Sequence, residues 1–160
     1  MKLILHEPSL EELWFRQQML ADPETMSYNR AWGGTIAWPR EQWQDWYDRW
    51  IEQPQGKRFY RYLVDAETDV FVGEIAYHWD QEQEMCLTNV IVYGPYRGKG
   101  YGRTGLRLLC EEARENGFES IYDDIAADNP AIDLFLSEGF ALMEEKDMTY
   151  LLKKELRFSK

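Results

Sequence analysis

Apolar and polar positions along the chain repeat with two periods, one of strands and one of helices. Val90, Ile91 and Val92 form a short β-branched run that reads as a buried strand. Tyr93-Gly94-Pro95-Tyr96 ends it, because proline has no N–H for the ladder of a central strand. Arg97-Gly98-Lys99-Gly100-Tyr101-Gly102 then opens a helix, in which Leu106, Leu109, Cys110 and Ala113 fall at i, i+3, i+4 and i+7. Gly117 stands where a glycine closes a helix. Residues 89–117 are therefore a strand, a glycine-rich loop and an amphipathic helix.

The same periods sort the rest of the chain. Residues 3–5 read as a first strand. Ser9 and Glu12 form a capping box for a first helix, which carries Leu10, Leu13, Trp14 and 19–21 and stops before Pro23. Residues 22–38 have no periodicity and are expected to form a long loop around Gly33-Gly34. Pro39 suits the first position of a second helix, whose Trp43, Trp46, Tyr47 and Trp50 form an aromatic stripe. Residues 57–65, 70–79 and 85–93 read as three antiparallel strands joined by polar turns. Residues 121–126 form the strand after the glycine-loop helix, which implies parallel pairing through a right-handed crossover. A helix over 130–138 and a hairpin of 140–143 with 148–152 complete the order β-α-α-β-β-β-α-β-α-β-β. The expected class is α/β, a mixed central sheet of six to seven strands with helices on both faces. At 160 residues without a linker, the chain reads as a single domain over 1–160.

Composition narrows the function classes. Hydrophobic residues make up 44% of the chain, which argues against disorder, and the longest apolar runs fall far short of the roughly 18 residues of a membrane span. The apolar start is too short for a signal peptide, so a cytoplasmic location is expected. Cys86 and Cys110 fall on a strand and a helix and read as core rather than as a disulfide. With two scattered histidines, no metal site is expected. The net charge of −11 repels nucleic acid and attracts a cationic acceptor such as an amine.

The glycine loop carries the chemistry. Bare backbone N–H groups at the positive end of a helix suit phosphate oxygens, and Arg97 and Lys99 add charge. Two ligand classes compete for it. Gly100, Gly102 and Gly105 match the dinucleotide fingerprint, with Asp123 or Asp124 about 20 residues on. Against that, seven residues, 93–99, separate the strand from Gly100, and only 36 residues follow Asp124. The other match is Arg-x-x-Gly-x-Gly at Arg97, Gly100 and Gly102, with Asn129, Ala131, Phe135 and Gly139-Phe140 downstream. This pair of signatures resembles the GNAT superfamily of acetyl-CoA-dependent N-acetyltransferases.

The resemblance implies the GNAT fold, in which two strands, here 85–93 and 121–126, splay apart around acetyl-CoA as cosubstrate. It implies pantetheine pairing along Ile91, Val92 and Tyr93. It places the pyrophosphate on Arg97, Gly98, Lys99, Gly100, Tyr101 and Gly102, with a further contact from Asn129. The reaction it implies is direct attack of a neutral amine on the thioester. An amine of pKa near 10 must first lose a proton, so a general base is needed. Glu74, Asp123 and Asp124 are the candidates; because neighbouring strand residues face opposite ways, at most one of the two aspartates is expected to face the cleft. Tyr28, Trp32 and Trp38 are the candidate acceptor wall, while the alternative for the aromatic stripe is simple packing on the sheet. Phe135 stands where the family often has a tyrosine acid, so no general acid is assigned. The acceptor is expected to be a small or peptidic amine. A protein N-acetyltransferase and a non-catalytic CoA-binding or sensing module are the alternatives, and the aromatic surface equally suits a homodimer contact.

Overall fold

The computed structural model describes residues 1–156. Its seven strands are β1 (Leu3–His6), β2 (Arg58–Asp65), β3 (Val70–Asp80), β4 (Met85–Val92), β5 (Ser120–Ala126), β6 (Ala141–Glu145) and β7 (Thr149–Glu155). They form one sheet in the order β1-β2-β3-β4-β5-β7-β6. Every neighbouring pair is antiparallel except β4 and β5, which are parallel. The helices are α1 (Trp14–Ala21), α2 (Trp43–Tyr47), α3 (Tyr101–Glu115) and α4 (Ile132–Ser137).

Both faces of the sheet are covered, as the alternation of its strands requires. Leu106, Leu109, Cys110 and Ala113 of α3 and Phe135 of α4 pack on Leu63, Ile75, Cys86, Ile121 and Leu152. On the other face Leu13, Phe15 and Met19 join Trp43 and Trp46 over Tyr60, Tyr62, Ala76 and Ile91. Fully burying one such large apolar side chain stabilises the fold by about 1.5–3 kcal/mol. The local signals act as expected. Ser9 N–H donates to Glu12 Oε1 at 2.9 Å and Glu12 N–H to Ser9 Oγ at 3.3 Å, which completes the capping box ahead of α1. Gly117 N–H and Phe118 N–H, each 3.0 Å from a carbonyl of the last turn, close α3.

Two expectations change. Residues 22–38 are not a featureless loop, because Thr25–Trp32 winds as a 3-10 helix. The second helix keeps its aromatic stripe but divides into a 3-10 turn (Arg40–Gln42), α2 and a π turn (Asp48–Glu52).

The feature that positions the site is the parting of β4 from β5. They register at one pair only, Leu87 with Tyr122. Beyond it β4 stays on β3, with Asn89 opposite Ala76 and Ile91 opposite Glu74, while β5 stays on β7. The two facing edges diverge toward the glycine loop.

Candidate active site

The divergence opens a cleft of about 880 Å³. Its floor is β4 from Thr88 to Val92, one wall is Asp123 to Ala126 of β5, and one end is the glycine loop with the start of α3. The 3-10 stretch contributes Tyr28 and Trp32 on the far side.

The loop is shaped as a cradle. Gly98 has φ +81° and Gly100, which precedes α3, has φ +89°. Both lie in the left-handed region that glycine adopts without strain. A side chain at Gly98 would meet nothing within 4 Å, so the loop is open there, while one at Gly100 would meet Met1 Cε at 3.0 Å. Backbone amides at the start of the 15-residue α3 suit an anion of pyrophosphate type.

Of the loop's side chains, Arg97 borders the cleft but directs its guanidinium at the opposite wall. Nη1 donates to Glu24 O at 3.0 Å and Nη2 to Thr25 O at 2.7 Å. Tyr101 is buried and donates its hydroxyl to Asp65 Oδ2 at 2.6 Å, which pushes its pKa up to about 12. Its phenol is therefore no candidate acid for the cleft. Tyr93 and Lys99 lie outside the cleft, contrary to expectation. Tyr93 N–H donates to Val72 O at 2.9 Å and its ring packs on Phe15 and Tyr96. Lys99 is exposed, with Nζ 6.0 Å from the ring of Tyr96. Ile91, Val92, Gly98, Gly100, Gly102 and Asn129 do line the cleft. Asn129 also accepts from Ala131 N–H at 2.9 Å and so shapes the approach to α4.

The three carboxylates separate sharply. Asp123 is half-buried on the β5 wall, with Oδ2 3.1 Å from Thr88 Oγ1. The same hydroxyl lies 2.9 Å from Tyr122 O. One hydroxyl proton serves one of these acceptors, and a protonated Asp123 completes the set by donating to Oγ1. Burial raises the Asp123 carboxyl to about 7, with Thr88 opposing and Asp124 adding to the rise. Asp124 is exposed and also borders the cleft. The expectation that only one of the two borders it is corrected: where β4 and β5 have parted, β5 presents a bare edge.

Glu74 lies fully buried behind β4 and does not border the cleft. Tyr60 Oη donates to its Oε1, and Asn89 Nδ2 donates to Oε2 at 2.9 Å. Burial raises its pKa, against the pull of Arg16, Tyr60 and Asn89. Asn89 borders the cleft as well, so Glu74 reaches it through Asn89.

Tyr28 lies in the cleft wall, where burial pushes its phenol up to about 12 and keeps it a protonated donor. Trp32 is 57% exposed at the rim. Trp38 departs from expectation. It is buried against Trp43 and Trp46, with the Arg16 guanidinium carbon 4.4 Å from its ring centroid, and it packs rather than lines the cleft.

The family model described as Acetyltransferase (GNAT) domain matches residues 2–136. The chain belongs to the GNAT acetyltransferase family. Among curated proteins it is 25% identical over 130 residues to YobR of Bacillus subtilis (strain 168), described as an uncharacterized N-acetyltransferase. That match takes in 69% of the chain and 51% of YobR, so the chain spans about half the length of this relative. The fold is shared with yncA from Salmonella typhimurium, a putative acetyltransferase solved with acetyl-CoA, at TM-score 0.74 and 20% identity over 97% of this chain and 94% of that one. It is shared also with the spermidine/spermine N-acetyltransferase SpeG from Vibrio cholerae, at TM-score 0.75 and 18% identity over 96% and 94%.

Within this GNAT domain Phe135 is buried against Phe140, and no hydroxyl stands at that position. Thr88, Asn89 and Arg16 were passed over in the sequence. Their signal is present: Thr88-Asn89 are the polar pair inside an apolar strand, and Arg16 falls between Leu13 and Leu20 on the buried stripe of α1. Among the described residues, no group of His, Cys, Asp and Glu is placed to hold a metal ion, and no helix is long and apolar enough to cross a membrane.

Proposed function

We propose that the chain transfers an acetyl group from acetyl-CoA to a primary amine of a small-molecule acceptor, by direct attack in a ternary complex. The observation that carries the reading is Asp123: a carboxyl raised to about 7, on the wall of a cleft that ends at an amide cradle. Such a group removes a proton from the acceptor near neutral pH, where a carboxylate of ordinary pKa is a weaker base. The free edge of β4 beyond Leu87 suits an amide-bearing pantetheine arm, and the loop amides suit its pyrophosphate.

In this reading the amine nitrogen gives a proton to Asp123 and attacks the thioester carbonyl. A C–N bond forms, the C–S bond breaks, and the CoA thiolate leaves, taking up the second proton that the acylated nitrogen sheds. A thiol of pKa near 8.5 leaves without a dedicated acid, consistent with Phe135 at the family's tyrosine position. The net charge of −11 draws a cationic amine toward the protein. SpeG, which shares the fold, is named for the amines spermidine and spermine, and this supports an amine as the acceptor.

The test is release of CoA thiol from acetyl-CoA over a panel of primary amines between pH 5 and 9. Turnover with a small amine, rising with pH through about 7, supports the reading. Tight acetyl-CoA binding without turnover on any amine favours a CoA-binding module instead. Turnover confined to protein substrates overturns the acceptor class.

A further inference from the structure

Behind the cleft, on the α1 and α2 face of the sheet, lies a second cavity of about 230 Å³. Trp46, Trp50 and Tyr60 wall it, His78 borders it, and Arg16 and Glu74 supply its charges. Thr88 and Asn89 border both cavities, so the small one continues the cleft past the point where β4 and β5 part.

Arg16 is the group out of balance here. Its guanidinium carbon lies 4.4 Å from the centroid of Trp38, 4.7 Å from Trp46 and 5.9 Å from Tyr60. The aromatic cage is thus filled by a cation of the protein itself. Nε is buried without a hydrogen-bond partner, and Glu74 Oε1, its counter-ion, lies 3.8 Å away. Glu74 has accepted instead from Tyr60 and Asn89. A guanidinium has donors in a planar fork that matches an oxyanion, and a buried donor without a hydrogen bond is costly. A second ammonium fits poorly: the rings already hold Arg16, and the Glu74 carboxylate already faces Arg16 and two donors. His78 adds no competing charge, since burial lowers its pKa and leaves it neutral near pH 7. Its cross-strand partner Arg58 adds a second cation, 6.0 Å from Trp50.

We infer that this cavity is the subsite for the acceptor's tail and takes an oxyanion, a carboxylate above all, so that the acceptor is of amino-acid type rather than a polyamine. The acceptor's amine then sits at the Thr88–Asn89 junction facing Asp123, and its carboxylate lies at Arg16. The inference rests on the proposed acetyl transfer for its orientation, but binding in the cavity is measured without it.

Trp46 and Trp50 give the measurement an intrinsic probe. Tryptophan fluorescence is titrated with L-leucine, L-phenylalanine and L-lysine, with their decarboxylated counterparts isoamylamine, phenethylamine and cadaverine, and with spermidine. Within at least one pair the amino acid is expected to bind about tenfold or more tighter, the worth of a charge-assisted hydrogen bond. Arg16→Lys keeps the charge and loses the fork, and should reduce that preference to less than about threefold. His78→Glu, at the half-buried border, should reverse it toward the amine; thermal unfolding verifies that both variants are folded. Tighter binding of spermidine or of every decarboxylated amine, or a preference unchanged in Arg16→Lys, overturns the inference. Acetylation of spermidine but of no amino acid would keep the proposed function and defeat this subsite. Amino-acid binding lost in Arg16→Lys, in a protein that ignores acetyl-CoA, would do the reverse.

Discussion

Arg97 and Thr25 join the two sides of the cleft. Arg97 Nη2 donates to Thr25 O at 2.7 Å across 72 positions of sequence, and Gly94 N–H donates to Thr25 Oγ1 at 2.8 Å. Thr25 is fully buried and its hydroxyl donates to Asp22 Oδ2. The glycine loop and the 3-10 stretch that carries Tyr28 and Trp32 are therefore one mechanical unit.

The first prediction tests that unit. Thr25→Val leaves the buried Gly94 N–H unpaired and should lower stability by about 1–3 kcal/mol in urea unfolding. Arg97→Ala should raise KM for acetyl-CoA and for the amine together, because both walls lose their tie. A rise confined to acetyl-CoA would mean that Arg97 serves the cosubstrate alone.

A second prediction concerns pH. In the proposed mechanism deprotonated Asp123 is the base, so kcat/KM should rise with pH through about 7. Asp123→Asn should lower kcat about a hundredfold or more and remove that limb. The folded-state pKa is raised above the ordinary 3.8, so the contribution of Asp123 to stability is present below that value and is lost as pH rises through about 7. The melting temperature of Asp123→Asn should accordingly gain on wild type between pH 4 and 8.

The third prediction separates two tryptophans that the sequence put in one class. Trp38→Ala should cost about 3–5 kcal/mol of stability by emptying a packed site. Trp32→Ala should leave stability within about 0.5 kcal/mol and raise the amine KM. Denaturant melts and steady-state kinetics on the pair decide it.

The fourth concerns Glu74. Glu74→Ala leaves the guanidinium of Arg16 without its counter-ion and should destabilise by about 3 kcal/mol, the low end for a buried pair because Arg16 keeps some exposure. Tyr60→Phe removes one donor to Glu74 and should cost about 1 kcal/mol. Equal losses from the two would show that Glu74 is held by hydrogen bonding rather than by charge.

These residues show where the sequence was legible. Leu106, Leu109, Cys110 and Ala113 announced α3 because a helix packed on one sheet face must repeat its apolar positions every three to four residues. The polar turns at 67–69 and 81–84 punctuated β2, β3 and β4, so the order of strands followed. Thr25–Trp32 was not legible, because its winding depends on contacts from Asp22, Gly94 and Arg97 rather than on an apolar period. The parting of β4 from β5 is also tertiary. It came from the resemblance carried by Arg97, Gly100 and Gly102, and the single Leu87–Tyr122 pair shows it. Arg16 was missed because a cation on an apolar stripe reads as an interruption until its aromatic cage is seen.

The most direct test of the central claim is a thermal-shift titration of acetyl-CoA, with CoA and NAD alongside, on wild type and Gly100→Glu. A ligand that binds the native state raises the melting temperature by mass action. The cleft account predicts a rise with acetyl-CoA and CoA, none with NAD, and loss of the rise in folded Gly100→Glu, where a carboxylate stands at the amide cradle. A wild-type protein that responds to NAD but not to acetyl-CoA at saturating concentration would contradict it.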